Sequence, residues 1–392
     1  LIELHTPGEL RDHLARHGHL EQTVLQHIDL RLFEAQLKTT AVDGAVFLGC
    51  NLSPEGGYAL TQRGAVIFPN MPELVFRPYR AFLYTAEELF EGFDPDDPCS
   101  YCQTPDNKIY QHWLANGRAN PAKVMEGMLR RIHDQSMTDA LEEFLRRQQG
   151  KIVAIMGGHG MKRWEDTYRD LAIISRTLTR QGCLMVSGGG PGAMEATHLG
   201  AWFAEFDDDA LEQAISHLAS APDYQDKLWL SKAFQVRERW PKPPDTGLSL
   251  AIPTWLYGHE PPNPFASHIA KYFNNSLRED GLVTVAHDGI VFAPGSAGTL
   301  QEIFQDACQN HYATTGFASP MIFLGRTFWT QTQPAYPLLE ALAKDRPYNQ
   351  RLFLCDSHQE VLDILGKGGP QKVDRTHWSF CEAYCFHQEE SD

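Results

Sequence analysis

The sequence predicts an α/β protein, a parallel sheet with helices on both faces, preceded by an N-terminal α/β region. Three observations point there. Short apolar runs recur between helical stretches from residue 151 onward, and runs without polar alternation suit strands covered on both faces. Two of these runs end in glycine-rich turns that lead straight into helices, at Ser187 to Ala196 and Pro294 to Glu302. The 392 residues, 42% hydrophobic, suffice for a large core and favour two domains or one elaborated domain.

In residues 1–150, helical periodicity is read over Gly8 to His17 and again over Leu20 to Leu37, followed by strands at Ala45 to Cys50 and Gly64 to Phe68. Thr85 with Glu88 forms a capping-box pattern. Phe93 to Asn107, with its Asp, Pro and Cys, reads as an exposed loop. Pro121 to Arg147 returns to helix, which the polar segment His133 to Asp139 is expected to interrupt. Gln148-Gln149-Gly150 reads as a domain boundary.

The second region, residues 151–368, starts with strand Lys151 to Met156, the turn Gly157-Gly158-His159-Gly160 and a helix from about Asp166 to Gln181. Strand Cys183 to Val186 and the triple-glycine turn follow. The acidic run Glu205 to Asp209 reads as a solvated surface insertion. Further strands are expected at Leu248 to Ile252, Gly289 to Ala293, Met321 to Leu324 and Leu352 to Cys355. Leu282 to Ala286 is strand-like by propensity. Residues 369–392 carry no clear pattern and read as a tail.

Each glycine turn suits an anion. Glycine lets backbone N–H groups approach a phosphate, and the helix behind it offers unpaired donors and the positive end of its dipole. Thr299 adds a hydroxyl. Each turn also carries an acid, Glu195 or Glu302, which points to a phosphorylated sugar ligand. Gly158-His159-Gly160 fails as a dinucleotide fingerprint because Arg163 occupies the third glycine position, and neither turn contains Gly-Lys-Ser/Thr. No lysine nominates itself for a pyridoxal Schiff base.

The motif Gly-Gly-Gly-Pro-Gly-Ala-Met-Glu-Ala, followed downstream by Pro-Gly-Ser-Ala-Gly-Thr-Leu-Gln-Glu, resembles the LOG family, often labelled lysine decarboxylase-like. The family signature is Pro-Gly-Gly-x-Gly-Thr-x-x-Glu; here Ser296 replaces its second glycine and the final acid, Glu302, is kept. The likeness is specific over residues 151 to about 325. It implies a Rossmann-like domain that cleaves the N-glycosidic bond of a nucleoside 5′-monophosphate to free base and ribose 5-phosphate, without cofactor or metal. Glu302 would be the catalytic carboxylate, and Arg278 would orient the substrate or polarise the leaving base. Gly189, Gly190, Gly192, Glu195, Gly295, Ser296, Gly298 and Thr299 would bind substrate. The resemblance also places a helix from about Ser267 through Leu282 to Ala286, against the local propensity.

Other readings stand beside these. Arg278 also reads as a surface helix residue paired with Glu279 or Asp280, and Glu195 equally as a cap of its own helix. Tyr257, His259 and Asn263 follow a strand end and are candidates to flank the base. The competing function is a non-catalytic binder of nucleotide or molybdenum cofactor. Residues 1–150 are open to a regulatory role, through a second nucleotide, or to oligomerisation. The resemblance implies a homo-oligomer, with Ile303, Phe304, Ala307 and Cys308 on an apolar stripe at the interface.

The net charge of −16 opposes a nucleic-acid polymer as partner. No apolar run reaches the ~18 residues of a membrane span, and the amphipathic opening lacks a signal-peptide core, so a cytoplasmic protein is expected. The eight cysteines form no dense framework. Cys99 and Cys102 are a tight pair, the Cys381, Cys385, His387 cluster is distant in sequence, and free thiols are expected in place of a metal site.

Overall fold

The computed structural model describes residues 2–373. Its main sheet has seven strands: β5 (Ile152–Met156), β6 (Leu184–Ser187), β7 (Ser249–Ala251), β8 (His268–Ile269), β9 (Ile290–Phe292), β11 (Met321–Leu324) and β12 (Leu352–Cys355). They pair in the order β12-β11-β9-β5-β6-β7-β8, every pair parallel. An N-terminal parallel sheet joins β1 (Ile2–Leu4), β2 (Thr23–Gln26), β3 (Val46–Leu48) and β4 (Val66–Phe68) in chain order. The short strands β10 (Phe317–Ala318) and β13 (Gln371–Lys372) pair antiparallel.

Strand alternation divides the core. Ile152, Ala154 and Met156 of β5 enter one hydrophobic cluster, while Val153 and Ile155 enter the other. The helices Asp166–Arg180, Ala193–Trp202 and Asp208–Leu218 cover the second face; Val124–Arg146, Asn275–Val285 and Ala297–Tyr312 cover the first. This is the expected Rossmann-like arrangement of parallel strands between helical layers; β5, β6, β7, β9, β11 and β12 fall where the apolar runs placed them, while the two-residue strands β8, β10 and β13 were not expected.

Residues 1–150 do not share one core. Leu4 through Ala65 form a separate cluster, whereas Phe76, Leu89, Trp113, Leu129 and Leu141 pack with the main sheet. The N-terminal region is α/β as expected, with differences inside it. Leu20 to Leu37 is not a second helix: β2 occupies Thr23–Gln26 and only Glu34–Leu37 is helical. Its apolar residues, Leu20, Leu25, Ile28 and Leu30, are buried in the N-terminal cluster, Leu25 on β2 itself, a strand that the β-branched Thr23-Val24 pair favours. Thr85 accepts from the Glu88 amide as a cap does, but the Glu88 carboxylate goes to Arg80 at 2.7 and 2.8 Å.

Three further expectations change. Phe93 to Asn107 is only in part an exposed loop: Asp94, Asp96, Asp97, Cys99 and Cys102 are exposed, but the segment holds the 3-10 turn Pro98–Gln103 and the start of helix Pro105–Ala115, and Asp106 is fully buried against Lys271 Nζ at 2.5 Å. His133 to Asp139 does not break its helix; Val124–Arg146 is continuous, because the buried His133 and Asp134 find partners outside it. Leu282 and Val283 are helical and buried, tertiary packing overriding β-propensity, but the helix starts at Asn275 behind its Asn274 cap, not near Ser267. The acidic run opens the helix Asp208–Leu218, with Asp207 capping Ala210 at 2.8 Å.

Of the expected interface stripe, Ile303 and Ala307 are buried in the chain's own core, Phe304 is half-buried and Cys308 exposed. Residues 371–372 of the expected tail are strand; Cys381, Cys385 and His387 lie outside the described residues. No helix among the described residues is long and apolar enough to cross a membrane.

Candidate functional site

The sheet order reverses between β5 and β9: the chain runs from β5 outward through β6 to β8, then returns to lay β9 on the other side of β5. A crevice opens at the carboxyl ends of strands where such a reversal occurs. Three glycine turns meet there. Gly158 N–H donates to Pro294 O at 3.0 Å, and Ala193 N–H donates to Gly158 O at 3.2 Å. Gly192 has φ +67°, and a Cβ there would collide with Gly158 O, so no other residue fits this junction without moving it. Ser187 Oγ accepts from Gly189 N–H at 3.1 Å. Asn263 braces the same turn from outside, donating its backbone N–H to Gly189 O at 2.9 Å and its side-chain amide to Gly190 O at 3.2 Å.

The turns enclose a cavity of about 290 Å³. Gly189, Gly190, Arg278, Ser296, Gly298, Thr299 and Glu302 line it, so the two motifs, far apart in sequence, form one site. Larger clefts of about 760 and 940 Å³ lie against the Val124–Arg146 helix and contain neither glycine turn. Helix Ala297–Tyr312 begins in the cavity wall, with Ser296 at its N-cap position and Ala297, Gly298 and Thr299 as its first turn. The orphan N–H groups and dipole of that turn favour an anion.

Arg278 Nη1 stands 3.3 Å from Glu302 Oε1, and Arg278 Nε donates to Ile252 O at 3.1 Å. Both side chains are nearly buried, at 10% and 9% exposure. Burial pushes the Glu302 carboxyl above its ordinary value, and the Arg278 charge pulls it back. Arg278 is held in place from two directions. A Cβ at Gly188 would collide with Arg278 Nη2, so the glycine makes room for the guanidinium. Asp134 accepts from the Phe273 and Asn274 amides, at 2.8 Å each, and so fixes the chain entering the helix that carries Arg278.

Three predicted residues lie off the cavity. Gly192 and Gly295 serve the packing of the turns, Gly295 standing against Thr299 Oγ1 and the Gly158 amide. Glu195 neither lines the cavity nor caps its helix. Its oxygens accept from Arg163 at 2.8 and 2.6 Å and from Tyr168 at 3.0 Å, all of them buried, so a desolvated ion pair under the turn consumes both lone-pair faces. Arg278 is not the surface residue of the plainer reading. Of the loop candidates Tyr257 lines the cavity, Asn263 is the brace, and His259 is largely exposed beside Glu260.

Sequence reasoning missed Glu260, His159 and Glu279, which also line the cavity. His159 lay inside the Gly158-His159-Gly160 turn and Glu260 within the Tyr257 to Asn263 loop, both at strand carboxyl ends; that position was the available signal. Among the described residues no group of three or more His, Cys, Asp or Glu is placed to hold a metal, and Cys99 and Cys102 are exposed free thiols.

No protein-family model matches the chain, and no curated protein matches its sequence. Solved structures that align include the molybdenum cofactor binding protein from Rippkaea orientalis (14% identity, TM-score 0.36) and the Moco carrier protein from Chlamydomonas reinhardtii (12%, TM-score 0.35). A structural-genomics target protein, TM1055, aligns at 16% identity and TM-score 0.34. Each alignment covers 56% of this chain and 97%, 97% and 100% of the respective neighbour.

Proposed function

We propose that this chain hydrolyses the N-glycosidic bond of a nucleoside 5′-monophosphate, releasing the base and ribose 5-phosphate. The observation that carries the reading is the buried Arg278–Glu302 pair at 3.3 Å, set beside a helix N-terminus whose first turn lines the same cavity. A phosphate on the Ser296, Gly298 and Thr299 side would meet backbone N–H groups and the helix dipole. The ribose then lies toward Glu302, where a carboxylate suits a transition state with positive charge developing on the sugar. Glu302 takes the proton of the attacking water, and Arg278 favours its ionised form against the effect of burial and orients substrate. Anchoring the remote phosphate positions C1′ for attack.

The test is incubation with a panel of nucleoside 5′-monophosphates and chromatography for free base. Release from at least one of them, with the matching nucleoside a poor substrate, is the expected result. Equal turnover of nucleoside and monophosphate overturns the phosphate site. Recovery of every monophosphate intact, with measurable binding, favours the competing reading of a nucleotide or molybdenum-cofactor binder.

A further inference from the structure

Three carboxyl groups line the cavity, and their partners differ. Glu302 faces Arg278, and Glu279 accepts from Asn275 Nδ2 at 2.6 Å and from Gln301. Glu260 is different. Among the described residues no donor hydrogen-bonds to its carboxyl; its nearest basic atoms are His159 Nδ1 at 3.5 Å and His259 Nε2 at 3.6 Å. It sits after the 3-10 turn Trp255–Tyr257, in the loop between β7 and β8, with its N–H on Tyr257 O at 2.9 Å. Its side chain is 12% exposed. Glu260 Oε2 lies 3.6 Å from where a Cβ on Gly190 would stand, and Arg278 occupies the corresponding space at Gly188. The triple-glycine turn therefore carries the guanidinium at one end and this carboxyl at the other.

We propose that Glu260 is the leaving-group acid of the cleavage, delivering a proton to the base nitrogen as its bond to C1′ breaks. The inference rests on the hydrolase reading above. Water oxygen bonds to C1′ and gives a proton to Glu302. The C1′–N electron pair goes to the base nitrogen, which takes the Glu260 proton, and the base leaves neutral. Glu302 returns its proton to solvent, and Glu260 is recharged through His159, whose side chain is 45% exposed. The two carboxyls divide the work because their neighbours differ. Glu302 touches a permanent cation, whereas Glu260 faces imidazoles that are charged only when protonated. Burial raises the Glu260 pKa, opposed by His159, His259 and Arg278 in that order; Glu279 and Glu302 share the cavity.

The experiment compares a purine nucleoside 5′-monophosphate with 4-nitrophenyl β-D-ribofuranoside 5-phosphate, whose nitrophenolate departs without a proton. For Glu260→Gln, turnover of the purine substrate falls by about two to four orders of magnitude and that of the nitrophenyl substrate by no more than about threefold. Retained nitrophenolate release shows that the variant is folded. Glu302→Gln slows both substrates, and Glu260→Asp restores part of the purine activity. Equal losses on both substrates for Glu260→Gln and Glu260→Asp, or no loss on the purine, overturn the acid role while leaving the hydrolase reading intact. A parent protein that releases neither base nor nitrophenolate removes the hydrolase reading and the acid with it.

Discussion

The Arg278 guanidinium acts on the charge of Glu302, and that dependence yields two predictions at the residue scale. Glu302→Gln keeps shape and hydrogen bonding but removes the group that takes a proton, so turnover should fall by about two to four orders of magnitude. Calorimetric binding of ribose 5-phosphate should persist, because its phosphate meets backbone donors on the Ser296 to Thr299 turn. A variant that hydrolyses like the parent would falsify the mechanism. The second prediction is a pH dependence. Burial raises the Glu302 pKa and Arg278 lowers it, so activity rises with pH as Glu302 ionises, and removing the cation leaves burial unopposed. Arg278→Met should therefore shift the acidic limb of kcat/KM to higher pH, besides lowering the plateau. An unmoved limb would mean that the titrating group is not Glu302.

Among the elements, the triple-glycine turn governs where Arg278 sits. Gly188→Ala places a Cβ against Arg278 Nη2 and 2.7 Å from Met194 Sδ, both ends of flexible side chains, so the fold survives and the guanidinium moves. Displacement on the ångström scale costs about a hundredfold in rate when it misaligns a reacting group. The expected outcome is that loss in kcat with a thermal midpoint within a few degrees of the parent, read by calorimetry beside product release. Unchanged kcat would show that Arg278 tolerates the shift. Both glycine turns and the strands behind them were legible in the sequence because each is a local signal, an apolar run closed by Gly and Pro. What escaped were the long-range partners. Glu195 looked like a ligand until Arg163, 32 residues upstream, took both its oxygens. Glu260 had no motif to mark it, since a loop residue reveals its role only once the strand ends are gathered. Asp106 read as a loop residue because its counter-charge, Lys271, is 165 residues away.

At the scale of the whole molecule, a buried polar chain ties a helix to two strands of the main sheet beneath the site, and acid stability should follow from it. His198, on helix Ala193–Trp202, is fully buried between Ser187 Oγ at 2.7 Å and Ser249 Oγ at 2.9 Å, linking β6 to β7 beneath the glycine turn. Neutral imidazole has one donor and one acceptor nitrogen; the protonated ring has two donors and a charge that burial penalises. Burial accordingly drives its pKa from 6.5 to about 3 in the folded protein. The unfolded chain binds this proton below about pH 6.5 and the folded chain refuses it until about pH 3. The stabilisation is thus complete above 6.5 and is lost progressively as pH falls toward 3, by an amount on the order of 5 kcal/mol at 1.36 kcal/mol per pKa unit. His198→Gln keeps a donor and an acceptor but cannot take the proton. Its stability, measured by urea denaturation, should be lower than the parent's at pH 7.5 and should decline less steeply between pH 6.5 and 4. Parallel stability curves for parent and variant would mean that His198 does not hold its neutral form in the fold.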